Sequence, residues 1–188
     1  MVEAIDDKQL MGSAAKGDKI AFSKLFEKYY QGILNFFWRL VWDHAKAEEF
    51  AQDVFLKLWK NRRHYHGSGK FSTYLFQIAK NHWINYLRRK QRYKAFLDTR
   101  TEELKRSDSN ITPSPEKELA EREIEEIVKD AIGELPENYR VPFILSRYNN
   151  FKYGDIAEIL EVSPRTVEWR ISEAYNLLGK KLSKLKEN

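Results

Sequence analysis

The 188-residue sequence predicts an all-α protein, two small helical domains joined by a flexible linker. Three observations carry this. Glycine and proline are scarce, at 8 and 5, which disfavours a turn-rich β architecture. Apolar residues recur at helical spacing through most of the chain. One central stretch, 93–118, contains SDSNITPSPEKE; it is polar, acidic and rich in Ser and Pro, and reads as a tether. The expected units are therefore 1–92 and 119–188, with the linker 93–118 between them. A hydrophobic content of 42% is sufficient for packed cores.

The elements follow in order. A short helix is expected over 8–16, broken at Gly17 and Asp18. Phe22, Leu25, Phe26, Tyr29, Ile33, Phe36, Phe37 and Leu40 then mark one long amphipathic helix over 20–42. In 46–60 the rows Phe50, Val54, Leu58 and Ala51, Phe55, Trp59 lie side by side. Glu48, Glu49, Gln52 and Asp53 fall in the first turns of that helix, where negative charge suits the dipole. A loop over 64–70 holds Gly67, Ser68 and Gly69. The next helix, over 71–89, carries Leu75, Phe76, Ala79, Trp83, Tyr86 and Leu87 on one side. Tyr74, Gln77, Asn81, Asn85 and Arg88 line the other. After the tether, 119–132 reads as a charged helix with Ile124, Ile127, Val128 and Ala131 on its apolar side, and Leu135 and Pro136 open the next unit.

The net charge of +5 hides strong segregation. Residues 54–97 hold eleven cations and no carboxylate, whereas 98–137 carry 6 basic against 13 acidic groups. A cationic block of that length needs external anions, and a polyphosphate backbone supplies them. Ten aromatic residues are interleaved with the cations, which suits single-stranded or opened nucleic acid, whose bases stack on rings. A cationic surface over an aromatic core, or an anionic membrane surface as partner, also fits the composition. The stripe of amides and guanidinium on the 71–89 helix points to base edges and phosphates.

Residues 151–179 read FKYGDIAEILEVSPRTVEWRISEAYNLLG. Ile156, Ala157 and Leu160 mark a short helix. Ser163 is a good N-cap, and Pro164 suits the first helical position. Val167, Ile171, Ala174 and Leu178 fix the buried side of a second helix. Arg165, Thr166, Glu168, Trp169, Ser172 and Glu173 then face outward. This is a helix-turn-helix pattern, whose second helix would enter a major groove. Arg165 and Arg170 could bond phosphate or guanine, and Glu168 could accept from cytosine. An ordinary helical hairpin with a solvated face, or Trp169 packed inward, is the plain alternative.

Other classes fit poorly. No Cys is present, which excludes disulfides, a thiolate nucleophile and a Cys-ligated metal. There is no P-loop, no paired dinucleotide glycines and no nucleophile elbow, so no enzyme is expected. His64 and His66 read as solvated side chains, and neither metal nor cofactor is expected. The start, MVEAIDDKQL, is polar and acidic, and no run of 18 apolar residues occurs. A cytoplasmic protein without membrane insertion is the expectation. The rival from another class is a helix-turn-helix regulator with an N-terminal sensor, but a sensor has no reason to lack carboxylates over 54–97.

Both halves together resemble the sigma factors of bacterial RNA polymerase, specifically the small extracytoplasmic-function (ECF) group, over roughly 8–92 and 119–183. AEEFAQDVFLKLW (47–59) resembles the region 2.2 helix that binds the β′ clamp helices of core polymerase. GKFSTYLFQIAKNHWINYLRR (69–89) is similar to regions 2.3 and 2.4, which melt and read the −10 promoter element. ELPENYRVPFILSRYNNFKYGDIAEILEVSPRTVEWRISEAYNLL (134–178) is similar to region 4, which reads the −35 element. The order of the blocks, with no region 3 domain between them, is the specific feature.

The resemblance implies a core-polymerase site at Glu48, Glu49, Gln52, Asp53 and Leu56; charge suited to a helix N-terminus is the plain alternative for the acids. It implies −10 reading and melting by Arg62, Arg63, Tyr65, Lys70, Tyr74, Gln77, Asn81, Asn85, Arg88 and Arg89, with loop 62–70 holding a flipped base. Trp83, on the apolar side, is expected in the core. The −35 set is Arg165, Thr166, Glu168, Trp169, Arg170, Ser172 and Glu173. The implied partners are core RNA polymerase (β′ clamp helices and β flap), promoter DNA and an anti-sigma factor. The linker either threads the RNA exit path or is a plain spacer. Four positions depart from the family pattern. Asn85 stands for a usual Asp, and Tyr74 for a commoner Trp. Pro142 lies inside an expected helix and should kink it unless that helix starts late. Glu161 stands where Gly often makes the turn, at a cost of about 1 kcal/mol.

Overall fold

The computed structural model describes residues 6–67, 69–98 and 118–186. Among them are eight α-helices and no strand: α1 (Asp7–Ala15), α2 (Lys19–Val41), α3 (His44–Lys60), α4 (Phe71–Asp98), α5 (Glu118–Gly133), α6 (Glu137–Arg147), α7 (Tyr153–Leu160) and α8 (Pro164–Lys186). They form two helical clusters, α1–α4 and α5–α8.

Local chemistry sets the helix ends. Gly17 takes a φ of +103°, a conformation that favours glycine, and ends α1. Asp18 starts α2, its carboxylate accepting from the Ile20 and Ala21 amides at 2.9 and 3.1 Å. Asp43 caps α3 by accepting from the Lys46 amide at 3.0 Å. The expected rows then meet. Phe36 and Phe37 of α2 are fully buried, Phe37 lies edge-on to Phe50 of α3, and Phe26 lies edge-on to Phe55. Leu75, Phe76, Ala79 and Trp83 of α4 are buried as the periodicity predicts.

The segment expected as linker divides in three. Residues 93–98 continue α4, because helix-forming residues such as Lys94 and Ala95 extend its ladder without a breaker. Residues 99–117, with the Ser/Pro-rich tether, lie outside the described residues, and Glu118 already begins α5.

In the second cluster Ile144, Leu145, Ile156, Ile159, Val167, Ile171 and Ala174 form the core. Helix α6 runs through Pro142. The missing amide removes the helical partner of the Asn138 carbonyl, while the buried ring adds to the core. The clusters also pack on each other. α7 lies along α4, and the α6–α7 turn reaches α2, where the Asn149 amide donates to the Gly32 carbonyl at 2.9 Å.

Candidate nucleic-acid interface

The α7–turn–α8 unit is a helix-turn-helix. Glu161 makes the turn in the left-handed region (φ 58°, ψ 45°). Ser163 accepts from the Thr166 amide at 3.1 Å and pairs with its hydroxyl at 2.8 Å, capping α8. Burial of Val167, Ile171 and Ala174 fixes the rotation of the helix. Arg165, Glu168, Trp169 and Ser172 therefore face solvent, while Thr166 and Glu173 are half-buried at the flank. Trp169 remains 54% exposed, edge-on to Tyr139. The outer face of α8 thus presents a guanidinium, a carboxylate, hydroxyls and an indole, the groups that distinguish base edges in a major groove. Arg170 differs. It is half-buried, its Nε is buried without a partner, and it turns toward Lys80, Trp83 and Leu160 at the seam between the clusters.

Helix α4 divides its expected DNA-facing stripe into two parts. Asn81, Asn85, Arg88 and Arg89 are exposed, and Asn85, Arg88, Arg89 and Arg92 line a shallow polar depression. Toward its N-terminus the stripe is covered. Lys70 pairs with Asp155 of α7 at 2.7 Å, and the Gln77 amide donates to the Glu158 carbonyl at 2.9 Å. Tyr74 packs on Tyr65, which is also edge-on to Phe71. Both phenols are raised above their ordinary pKa, chiefly by burial. Arg63 is exposed, but Arg62 folds back, donating to the Trp59 carbonyl at 2.8 Å with its guanidinium over that indole. Trp83 is buried as expected, and its indole N–H donates to Glu137 of α6 at 2.8 Å.

The outer face of α3 carries the third expected set. Glu49, Gln52, Asp53 and Leu56 are exposed; Glu48 is half-buried and within 3.3 Å of His44. Glu49 pairs with Lys46, and Asp53 lies 3.8 Å from His82 of α4. Burial lowers the His82 pKa despite that carboxylate. Beside this face, between α2 and α3, runs a mainly apolar groove of about 510 Å³ lined by Phe22, Phe26, Phe55, Leu56 and Trp59, with Lys19 and Gln52 as its polar members.

Comparison with known proteins places this geometry. Family models for sigma-70 region 2 and sigma-70 region 4 match residues 25–93 and 125–178. The chain is 31% identical to the RNA polymerase sigma-H factor of Pseudomonas aeruginosa, over 98% of both proteins. The chain belongs to the ECF group of the sigma-70 family. It is also 30% identical to the ECF RNA polymerase sigma-E factor of Haemophilus influenzae, over 98% of this chain and all of that one. Two solved structures share its fold. One is CnrH in complex with the cytosolic domain of CnrY (TM-score 0.69, 20% identity, 95% of this chain and 97% of that one). The other is the sigma factor RpoE in complex with the anti-sigma factor NepR from Bartonella quintana (TM-score 0.70, 24% identity, 86% and 96%).

As a sigma factor the protein is not an enzyme; it serves RNA polymerase. Among the described residues no helix is long and apolar enough to cross a membrane. Two features of this sigma factor escape sequence reasoning. The aromatic wall of the groove, Phe22, Phe26 and Trp59, is one; the signal was Leu56, an apolar residue on an outward row. The other is Lys80, buried on α4 and paired with Glu161 at 2.8 Å, which no local pattern announces.

Proposed function

We propose that this sigma factor binds core RNA polymerase through the outer face of α3, reads the −35 element with α8, and reads and melts the −10 element with α4. The observation that carries the reading is the exposed row Asn81, Asn85, Arg88 and Arg89 on a helix within a carboxylate-free stretch. Guanidinium and amide groups at that spacing hold phosphates and base edges together. Opening the duplex costs a few kcal/mol per unstacked base. Stacking on protein rings returns about 1–3 kcal/mol per base; Tyr65 and Tyr74 supply rings beside the stripe, and Arg63 an exposed cation. Each good bidentate contact from α8 adds about 1–3 kcal/mol of discrimination.

The α2–α3 groove and the acids beside it suit an amphipathic helix with a basic flank, the chemistry expected of the polymerase clamp helices. An anti-sigma factor is the second partner class, since the RpoE relative was solved with one; it would compete for the same sigma factor in the cytoplasm. The test is transcription from mapped promoters with purified core enzyme. Addition of the chain is expected to create start sites that core alone lacks, and Arg88→Ala with Arg89→Ala to abolish them while leaving polymerase binding intact. Start sites unchanged by the double substitution would refute the role given to α4.

A further inference from the structure

The first turn of α1 reaches, through α2, to the loop that precedes α4. Asp7 accepts from Lys28 Nζ at 2.7 Å and from the Tyr29 hydroxyl at 2.5 Å. The Tyr29 ring is edge-on to Phe71, the first residue of α4, with centroids 5.3 Å apart. Phe71 is edge-on to Tyr65 at 6.0 Å, and Tyr65 lies 5.2 Å from Tyr74. Helix α1 also packs against the turn at 62–64, and Asp7 faces the same depression as Gly69, Lys70 and Phe71. One carboxylate thus stands at the foot of a row of rings that ends on Tyr65 and Tyr74.

Negative charge at a helix start suits the dipole, but a carboxylate left in water serves that purpose. The Asp7 side chain is only 18% exposed, and it engages two donors of another helix. Burial, reinforced by that carboxylate, raises the Tyr29 phenol far above its ordinary pKa, so it stays a donor. The Tyr65 hydroxyl, by contrast, is buried with no hydrogen-bond partner. Such a group keeps its place only where its neighbours hold it, and here the neighbours are rings. Aromatic packing has a preferred geometry, so a shift of Tyr29 passes to Phe71 and on to Tyr65.

We propose that Asp7 is a positioning residue for promoter opening: by fixing Tyr29 it aligns Phe71 and sets the Tyr65 ring to receive an opened −10 base. The proposal rests on the reading of Tyr65 and Tyr74 given above. A preset ring spares the ordering that capture would otherwise require. The benefit falls on the opening step, where capture competes with restacking of the base, and not on binding of the closed duplex.

The experiment follows opening by the holoenzyme in stopped flow, with a fluorescent adenine analogue in the −10 element of a mapped promoter, duplex or pre-melted. Tyr29→Phe keeps the ring and removes the donor; Asp7→Ala removes the acceptor. Each is expected to slow opening of the duplex about fivefold, the effect of losing one hydrogen bond. Affinity for the closed duplex should be unchanged, as should the response on the pre-melted promoter, where no restacking competes. The double variant should be no slower than either single one, as for two ends of one interaction. Asp43→Ala, which uncaps α3 at the end remote from the loop, controls for lost stability and should open at the parent rate. Tyr65→Ala should be slower than all of these. Parent-rate opening in Tyr29→Phe and Asp7→Ala, with Tyr65→Ala slow, overturns the role of Asp7 alone. Equal slowing on both promoters, or in Asp43→Ala, overturns it too. Parent-rate opening in Tyr65→Ala refutes the reading of the loop rings themselves.

Discussion

Phe55 and Leu56 are adjacent in sequence and opposite in fate, which makes them a matched pair for testing the groove. Phe55 is 3% exposed beneath Phe22 and Phe26, whereas Leu56 is 55% exposed on the outer face of α3. Truncating a buried Phe costs about 3–5 kcal/mol. Phe55→Ala should therefore lower the Tm by on the order of 10 °C for a chain of this size. Leu56→Ala removes a side chain that is already half in water. Complete burial of a Leu contributes about 1.5–3 kcal/mol, so a partner helix covering the exposed half gains about 1 kcal/mol. Its loss corresponds to roughly fivefold weaker binding. The assays are thermal unfolding of each variant and fluorescence titration with core polymerase. Leu56→Ala is expected to keep the parent Tm and bind core about fivefold more weakly. A Tm loss matching that of Phe55→Ala, or unaltered polymerase affinity, would refute the groove as a docking surface.

Two further outcomes are expected. Burial holds the folded His82 pKa below its ordinary 6.5, so the unfolded chain takes up a proton that the folded chain resists. Stability should fall as pH drops through and below about 6.5, and His82→Phe, seated edge-on among Phe37 and Phe50, should flatten that arm when Tm is followed from pH 8 to 5. Arg88→Ala should weaken promoter binding by the holoenzyme similarly across sequences and reduce the slope of log affinity against log salt by about 0.7–0.9, the value of one phosphate contact.

Sequence periodicity by itself determined the helices and their buried rows, while the family was legible in the resemblance of the blocks at 47–59, 69–89 and 134–178 and in their order. Helix geometry is local: Val167, Ile171 and Ala174 orient α8, and Asp18, Asp43 and Ser163 cap helices a few residues away. The helix-turn-helix, the carboxylate-free stretch and the acidic face of α3 were legible for that reason. The end of α4 was not, because 93–98 is polar but lacks a breaker, so composition resembled a tether where propensity favoured helix. Nor was the covering of Lys70, Gln77 and Trp83 by α7 and α6. Those contacts join residues 54 to 85 positions apart, and no periodic rule specifies which finished surface meets another. The same docking turned Arg170 inward and made sense of Glu161, a poor turn residue by local rules that becomes useful only once Lys80 is brought beside it. Only tertiary packing decided these, because they depend on charge and shape complementarity between two separately formed bodies.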